Sequence, residues 1–495
     1  MKATPPPNIV LIMTDQWRGD CLGSAGHPVV DTPYLDQLAQ RGARCENAYS
    51  ATPTCIAARA GLFTGLTPRS HGRIGYQDGL PWNYDLTLAG EFTRLGYQTQ
   101  AIGKMHVYPE RSQLGFQNVI LHDGFLHYAR RNANLDLVDD YLPWLRRELG
   151  READYFDHGL NCNSIVARPW DKAEYLHPTN YVVSQGIDFL RRRDPRKPFL
   201  LFLSFHRPHP PYDPPAWAFE QYLWREMPQP PVGDWVELLQ GYATPGNPEA
   251  HVDPSVPPHL LQRARAGYYG HITHIDHQIN RFLETLQSHN LRQNTVILFT
   301  SDHGEMMGDH QMFRKGYAYE GSARVPLIVS GPAELGIRPG SVHSAPVELR
   351  DIFPTLLDCA GLPIPERLEG RSFLPALQGI PSSTRQDIHG EHTLLGQSMH
   401  WMTDGLEKYI WFSGSGLEQF FDLAHDRQEL HDLGREPAQA EREPLGPERI
   451  AYWRGRLIEE LHGRPEGFTD GERLIPGRPV APTLPHLLEA NAAHL

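Results

Sequence analysis

Two pairs of polar side chains follow predicted strands, and their residue types are those that bind a cation. Asp15 and Gln16 come directly after the apolar run NIVLIMT, and Asp302 and His303 follow the run TVILFTS. In an open parallel sheet, ligands bind beyond the carboxyl ends of the strands. The four side chains are therefore expected to converge on one divalent cation. Each aspartate could alternatively cap a helix or form a turn.

A cysteine and an arginine stand one helical turn apart in the segment CIAARAGLFTG. Cys55 is predicted to open a helix, where backbone amides and the positive end of the dipole favour anions. Arg59 lies four residues later, so both side chains can share one helix face. This arrangement predicts a nucleophile beside a cation that balances an anion. The alternative for Cys55 alone is a small buried apolar residue.

The segment GKMH adds a second cation and an imidazole. Lys104 and His106 follow a predicted strand and are two residues apart, so they point to the same side. Clustered cations of this kind stabilise charge that develops on a transferred group. Taken singly, each residue is more often a solvated surface residue.

The elements that must position these residues alternate between strands and helices. This alternation predicts an α/β fold with a mostly parallel sheet flanked by helices. The predicted strands cover 8–14, 97–102, 198–205, 295–300 and 325–330. The first predicted helix begins after Thr32 and ends near Gly42. Further helices are predicted over 86–95, 182–190, 267–286 and 352–359.

Three parts of the chain depart from this alternation. Residues 115–178 and 208–257 are rich in proline and aromatic residues and are predicted to form pocket walls. A catalytic domain over 1–383 and a smaller C-terminal α+β subdomain over 384–495 are expected, the latter with an antiparallel sheet. The charged, proline-rich tail from Gly434 is predicted to wrap either the domain or a neighbouring subunit. In the second case the protein would be a homo-oligomer.

Composition excludes several classes of partner. The chain has 46 basic and 59 acidic residues, and this net charge of −13 disfavours nucleic acid. No apolar run is long enough for a membrane span, and no signal peptide is recognised, so a cytoplasmic location is expected. The five cysteines include no Cys-x-x-Cys pair, so neither a disulfide framework nor a zinc knuckle is indicated.

Considered in order, the motifs resemble those of type I sulfatases in the alkaline phosphatase superfamily. The resemblance spans nearly the whole chain, and it implies an alkaline-phosphatase-like fold and hydrolysis of a small aryl or carbohydrate sulfate monoester. The matching segments are NIVLIMTDQ, TPYLDQLAQRGARCENAYS, CIAAR with the later Thr-Gly, GYQTQAIGKMH, RPHPP, SDHGEMMGDH, RVPLIVSGP, DIFPTLLDCAG and FDLAHDRQEL.

The resemblance also implies a role for each candidate residue. Cys55 would be oxidised to formylglycine by a maturation enzyme and would act as the nucleophile. Lys104, His106, His209 and Lys315 would hold the sulfate group or assist the leaving group, with Arg59 beside the nucleophile. One divalent metal, Ca²⁺ or alternatively Mn²⁺, would be bound by Asp15, Gln16, Cys55, Asp302 and His303.

Three positions depart from the common family pattern. Gln16 replaces an aspartate and His303 replaces an asparagine, as in phosphonate monoester hydrolases and choline-sulfatase-like members; this softer ligand set makes Mn²⁺ plausible. Ala57 stands where the aerobic maturation enzyme prefers proline, which indicates the radical-type enzyme. A phosphonate monoester or phosphodiester hydrolase is therefore the alternative function, although such enzymes lack the Lys-x-His of GKMH.

Three histidines in the segment GHITHIDH have helical spacing that could suit zinc. Ile272, Ile275, Ile279 and Phe282 define the buried stripe of the same helix. His271, His274 and His277 are therefore predicted to lie on its solvent-exposed face rather than to bind a metal.

Overall fold

The computed structural model describes residues 6–131, 134–380, 385–435 and 447–492. Strands and helices alternate through the first part of the chain, and short strands dominate the later part. The strands are β1 (Asn8–Asp15), β2 (Ala43–Cys45), β3 (Ala48–Tyr49), β4 (Gln98–Gly103), β5 (Asn118–Leu121), β6 (Phe199–Pro208), β7 (Thr295–Ser301), β8 (Leu327–Ser330), β9 (Ser341–His343), β10 (Val347–Glu348), β11 (Ile388–Leu394), β12 (Gln397–Thr403), β13 (Glu407–Phe412) and β14 (Glu418–Asp422).

The α-helices range from single turns to one that is 31 residues long. They are α1 (Pro33–Arg41), α2 (Cys55–Thr64), α3 (Pro68–His71), α4 (Leu88–Arg94), α5 (Leu126–Ala129), α6 (Leu135–Val138), α7 (Tyr141–Leu149), α8 (Pro178–Arg192), α9 (Ala216–Leu223), α10 (Pro258–Ser288), α11 (Glu320–Ala323), α12 (Ile352–Cys359), α13 (Leu374–Leu377), α14 (Pro447–Leu461) and α15 (Pro485–Ala492).

The main sheet is mixed and mostly parallel, as expected from the alternation. Its order is β5-β4-β6-β1-β7-β8-β2-β9, and β8 is antiparallel to both of its neighbours. The four adjacent strands β4, β6, β1 and β7 all run parallel. Their carboxyl ends therefore lie side by side at one edge of the sheet.

Strand β1 is buried on both faces, which explains its continuous apolar sequence. Ile9, Leu11 and Met13 join the hydrophobic cluster that includes α2, α4 and α12. Val10 and Ile12 point to the other face, into the cluster that includes α1, α8 and α10. The period of two along one strand therefore divides the core into two layers.

The C-terminal part forms the predicted antiparallel sheet, with strands in the order β11-β12-β13-β14. Helix α14 buries Trp453, Leu457 and Leu461 against aromatic residues of this sheet. The end of the tail then returns to the catalytic part of the chain, where the Ile74 amide donates to Pro482 O (3.0 Å). The predicted domain boundary at 383/384 lies outside the described residues.

The prediction for the histidines of α10 is wrong for two of the three. His271 and His274 are completely buried, whereas His277 is exposed. The buried pair is paired with polar groups: the Asp213 amide donates to His271 Nε2 (3.0 Å), and His274 Nε2 lies 2.7 Å from Asn180 Oδ1. Helix α10 contacts α1, α8, α9 and β6, so it is packed on several sides rather than along one stripe.

The predicted irregular segments consist largely of loops with short elements, including α5 to α7 and α9. Among the described residues, no helix combines the length and the apolar character needed to cross a bilayer.

Candidate active site

The ends of the adjacent parallel strands bring the predicted metal ligands together. Asp15 ends β1, and Asp302 and His303 directly follow β7. His303 Nε2 lies 3.4 Å from Asp15 Oδ1 and 3.7 Å from Asp302 Oδ1. All three side chains are completely buried. Lys104, which follows β4, forms an ion pair with Asp15.

Cys55 lies among these groups. It is the first residue of α2, after Thr54 in extended conformation. Its Sγ lies 3.2 Å from His303 Nε2, 3.5 Å from Asp15 Oδ1 and 3.8 Å from Lys104 Nζ. The helix start therefore directs the residue at position 55 into the polar cluster at the sheet edge.

The donor set suits a divalent cation. Asp15, Cys55, Asp302 and His303 each offer a ligand atom, and these atoms lie within 4.8 Å of one another. His303 Nδ1 lies 2.9 Å from Gly304 O, so Nδ1–H donates there and leaves the Nε2 lone pair facing the cluster. Two carboxylates and one imidazole are common ligands for Mn²⁺. Ca²⁺ binds the carboxylates equally well but prefers oxygen to the imidazole nitrogen.

Arg59 connects the Cys55 helix to three strand ends. Its Nε donates to Asp302 Oδ2 (3.0 Å), and its Nη1 donates to Lys104 O (2.7 Å) and Ser204 Oγ (3.0 Å). Its side chain is completely buried, as is that of Asp302. Arg59 thus positions α2 through charge-assisted hydrogen bonds and places a fixed positive charge behind residue 55.

Gln16 points its amide oxygen toward the site. Lys315 Nζ donates to Gln16 Oε1 (2.7 Å), while Gln16 Nε2 donates to Glu305. The backbone of Gln16 has φ 74°, a left-handed conformation that is uncommon outside glycine. The backbone N–H of Gln16 donates to Asp302 Oδ1 (3.1 Å), which helps to hold this turn.

Lys315 and His209 form a second pair at the site. Lys315 Nζ lies 2.8 Å from His209 Nε2, and His209 Nδ1 lies 2.9 Å from Pro210 O. The Nδ1–H of His209 donates to this carbonyl, which leaves the Nε2 lone pair to accept a hydrogen bond from Lys315. His209 directly follows β6, whereas Lys315 lies in the loop between β7 and α11.

His106 is held in place by its backbone rather than by its ring. The amides of Met105 (2.7 Å) and His106 (2.9 Å) donate to Asp123 Oδ1. The ring is buried, and neither of its nitrogens has a hydrogen-bond partner among the described residues. An imidazole with two unused nitrogens is available to a bound ligand.

Burial and the cluster of cations set the charge states. Burial alone would raise the pKa of Asp15, but Lys104 and His209 hold that pKa well below its ordinary value. Burial and Asp15 raise the pKa of the Cys55 thiol to about 11, so the thiol stays protonated at neutral pH. Burial and Lys104 lower the pKa of His106, and burial and Lys315 lower that of His209, which keeps both rings neutral.

Sequence reasoning missed the residues that position the site. Glu305 accepts a hydrogen bond from the side-chain amide of Gln16, and Ser204 accepts one from Arg59. Asp123 accepts one from the backbone N–H of His106. Ser204 and Glu305 lie within or just after strands that end at the same edge, which is a usable signal. Asp123 follows the short strand β5, whose pairing is not evident from its sequence.

Comparisons with known proteins agree with this geometry. The model of the family described as "Sulfatase" matches residues 7–362, and the model described as "N-sulphoglucosamine sulphohydrolase, C-terminal" matches residues 308–444. An arylsulfatase of Clostridium perfringens is 50% identical over 487 residues, which are 97% of this chain and 99% of that protein. A choline-sulfatase of Rhizobium meliloti is 29% identical over 91% of this chain and 87% of its own length.

A solved structure gives the same fold. The phosphonate monoester hydrolase of Agrobacterium radiobacter superposes with a TM-score of 0.74 and 27% identity, and the match covers 92% of this chain and 95% of that one. The fold expectation is therefore confirmed. With the family model covering most of its length, the chain belongs to the sulfatase family and is an enzyme that hydrolyses sulfate esters.

Proposed function

We propose that the protein hydrolyses small aryl sulfate monoesters with formylglycine at position 55 and one divalent metal, either Ca²⁺ or Mn²⁺. One observation carries the proposal: Cys55 Sγ lies 3.2 Å from His303 Nε2 and 3.5 Å from Asp15 Oδ1, within the set of candidate ligands. The relative that is 50% identical to this chain is described as an arylsulfatase, which supports a preference for aryl esters.

Position 55 and the metal supply the reactive groups. Asp15, Gln16, Asp302 and His303 would hold the cation, which when bound acts as a Lewis acid toward oxygen. Hydrated formylglycine would supply one hydroxyl whose oxygen attacks sulfur and displaces the alcohol. Loss of the proton from its second hydroxyl would then break the C–O bond to the sulfate and restore the aldehyde. The unmodified thiol, protonated and buried, offers neither hydroxyl group.

The remaining residues bind and orient the ester. Lys104 and Lys315 would place positive charge next to the sulfate oxygens. Arg59, which bonds Asp302 on the protein side of residue 55, would balance the negative charge of the nucleophile. His209, neutral and fixed through its Nδ1–H, can accept or share a proton at Nε2. His106 can hydrogen-bond the leaving oxygen through a ring nitrogen that no described protein group uses.

Maturation is part of the proposal. Ala57, in place of proline, favours the radical-type formylglycine-generating enzyme as the partner. Cys55 is only 2% exposed in the folded chain, so the modifying enzyme must reach it before the surrounding elements pack.

The alternative substrate is a phosphonate monoester or phosphodiester. It is favoured by the solved phosphonate monoester hydrolase with the same fold. Lys104 and His106 favour sulfate instead, since they supply a cation and a hydrogen-bonding group suited to a sulfate ester and its leaving oxygen.

A panel of esters with matched leaving groups distinguishes the two substrates. The matured enzyme is assayed with 4-nitrophenyl sulfate, 4-nitrophenyl phenylphosphonate and bis(4-nitrophenyl) phosphate. The Cys55→Ala variant, purified identically, measures background from contaminants. The sulfate ester is expected to give the highest kcat/KM, and a higher value for the phosphonate would replace the proposal with its alternative.

A further inference from the structure

Two aromatic rings contact two histidines of the candidate site. Tyr76 meets His106 edge to face, with ring centroids 6.0 Å apart. Phe125 stacks on His209, with centroids 6.1 Å apart and an interplanar angle of 25°. Tyr76 is 49% exposed and Phe125 is half-buried, so both reach from the buried site toward solvent.

The phenol of Tyr76 lies close enough to the site for Cys55 and Lys104 to affect its pKa. Partial burial raises the pKa of Tyr76 to about 12, with Asp78 and Cys55 adding to the rise and Lys104 opposing it. The phenol therefore stays neutral under ordinary conditions. An uncharged aromatic surface beside residue 55 suits an apolar leaving group better than a charged one.

The segments that carry the two rings are joined by an ion pair. Arg130, at the end of α5, donates from Nε to Asp78 Oδ2 (2.8 Å) and from Nη2 to Asp78 Oδ1 (2.6 Å). The same guanidinium donates to Val107 O (3.2 Å), next to His106. This two-bond contact fixes the Tyr76 loop against the helix that Phe125 precedes.

The C-terminal part of the chain holds the Tyr76 loop from the other side. The Ile74 amide donates to Pro482 O (3.0 Å), and the Thr393 amide donates to Ile74 O (2.9 Å). Thr483 Oγ1 donates to Gln77 Oε1 (3.0 Å). Residues on both sides of Tyr76 are thus bonded to distant segments, so its ring is positioned before any ligand binds.

We propose that Tyr76 and Phe125 form a subsite for a planar aromatic leaving group. This inference rests on the proposed function, because it concerns the alcohol part of the same sulfate ester. An aromatic leaving group attached to a sulfate held by Lys104 and Lys315 would contact these rings as it departs. Walls fixed in advance save the ordering cost that a flexible pocket would incur on binding.

The test measures the two parts of the substrate separately. Tyr76→Ala and Phe125→Ala are each expected to lower kcat/KM for 4-nitrophenyl sulfate by about 3- to 10-fold, mostly through a higher KM. The inhibition constant of inorganic sulfate, which has no leaving group, should stay within about twofold of the wild-type value. Tyr76→Phe, which keeps the ring, should restore most of kcat/KM.

Tyr128→Ala is the matched control. Tyr128 lies on α5 and is 45% exposed, and it contacts His127 and Phe156 rather than His106 or His209. It should leave both constants unchanged. If Phe125→Ala fails to fold by circular dichroism, Phe125→Leu replaces it, since leucine retains apolar volume without an aromatic face.

The outcomes separate the subsite from the proposed function. An unchanged KM in both alanine variants, or a parallel rise in the inhibition constant of sulfate, overturns the subsite. Failure of the wild-type enzyme to hydrolyse any sulfate ester overturns the proposed function instead. The subsite is then tested by calorimetric binding of 4-nitrophenol to the wild-type and Tyr76→Ala proteins, where equal affinities would overturn it.

Discussion

Cys55 Sγ lies 3.2 Å from Nε2 of His303, so the start of one helix and the turn after one strand meet at a single point. Position 55 comes early in the chain and position 303 much later. The parallel pairing of β1 with β7 brings Asp15 next to His303, and the start of α2 places Cys55 Sγ beside both, 3.5 Å from Asp15 Oδ1. A nucleophile at position 55 thereby lies beside the groups that would activate it.

Cys55→Ser is expected to remove nearly all turnover and to leave the fold intact, because a serine lacks the second hydroxyl group of hydrated formylglycine. Circular dichroism and thermal unfolding check the fold. In the active wild-type protein, mass spectrometry should show a loss of about 18 Da from the peptide that carries residue 55, the difference between thiol and aldehyde. An unmodified peptide in fully active enzyme would contradict the mechanism.

Chelation of the metal is expected to abolish hydrolysis and to leave the protein folded, with activity restored by Ca²⁺ or Mn²⁺. Elemental analysis should find one divalent ion per chain. Asp302→Asn should bind less metal because it removes a carboxylate from the ligand set. Arg59→Lys is the comparison variant, since it perturbs Asp302 without changing a ligand. Full turnover by metal-free enzyme would refute the metal site.

His106→Ala is expected to slow hydrolysis most for esters with poor leaving groups. A neutral imidazole that hydrogen-bonds the leaving oxygen typically contributes ~10²–10⁴-fold, and nitrophenolate needs little of this help. The rates of an alkyl sulfate and 4-nitrophenyl sulfate are therefore compared in the same variant. Equal losses on both esters would show that His106 only positions the sulfate group.

Asp276 is expected to make the protein less stable as pH rises. Burial raises its pKa to about 8 although the Tyr34 and Leu35 amides, which donate to its oxygens, oppose the rise. The folded state therefore keeps a proton that the unfolded state loses above about pH 4. Between about pH 4 and 8, the free energy of unfolding contributed by this group falls by up to about 1.4 kcal/mol per pH unit.

Asp276→Asn removes this titration and should flatten the dependence of stability on pH. Chemical denaturation at pH 5 and pH 8 measures the difference between the two slopes. The variant is expected to be less stable overall, because the asparagine NH₂ group replaces one acceptor of a backbone amide. Parallel curves for wild type and variant would contradict the prediction.

Removal of the tail is expected to destabilise the protein and weaken binding of aryl esters. A chain ending at Gly434 lacks Trp453, Leu457 and Leu461, which are buried against the C-terminal sheet. A chain ending at Gly477 keeps those residues but loses the contacts of Pro482 and Thr483 with the Tyr76 loop. The first should unfold at lower temperature, and the second should mainly raise KM.

Light scattering of both truncated chains tests whether the tail also joins subunits. A smaller number of chains per particle than in the full-length protein would show that it does. An unchanged number of chains per particle, together with unchanged stability and activity, in the chain ending at Gly434 would contradict both roles of the tail.

The strand-end residues were predictable because their signal is local. A buried apolar run followed by Asp15 or Asp302 identifies both the strand and the edge at which it ends. The helix start at Cys55 and the spacing to Arg59 are equally local. The sequence therefore predicted which side chains meet, since parallel strands bring their carboxyl ends together.

The predictions that failed concern residues whose surroundings are formed by segments distant in the sequence. Helix α10 carries an apolar stripe, but other segments also cover its polar side and supply Asp213 and Asn180 as partners for His271 and His274. Tyr76 and Phe125 gave no signal because each faces a histidine from another part of the chain. Strand β8 reads like its neighbours, and its reversed direction depends on the path of the connecting chain.

The bond between Ile74 and Pro482 has a consequence for the newly made chain. On a ribosome, residue 55 emerges well before Pro482, whose carbonyl accepts the bond that secures the neighbouring Tyr76 loop. At about 5–20 residues per second, the roughly 400 intervening residues take about 20 to 80 s to synthesise. During that interval, the modifying enzyme of the proposed function would have access to Cys55 while the Tyr76 loop still lacks its contact with Pro482. The order of synthesis would thus separate the proposed maturation of residue 55 from the completion of the folded site.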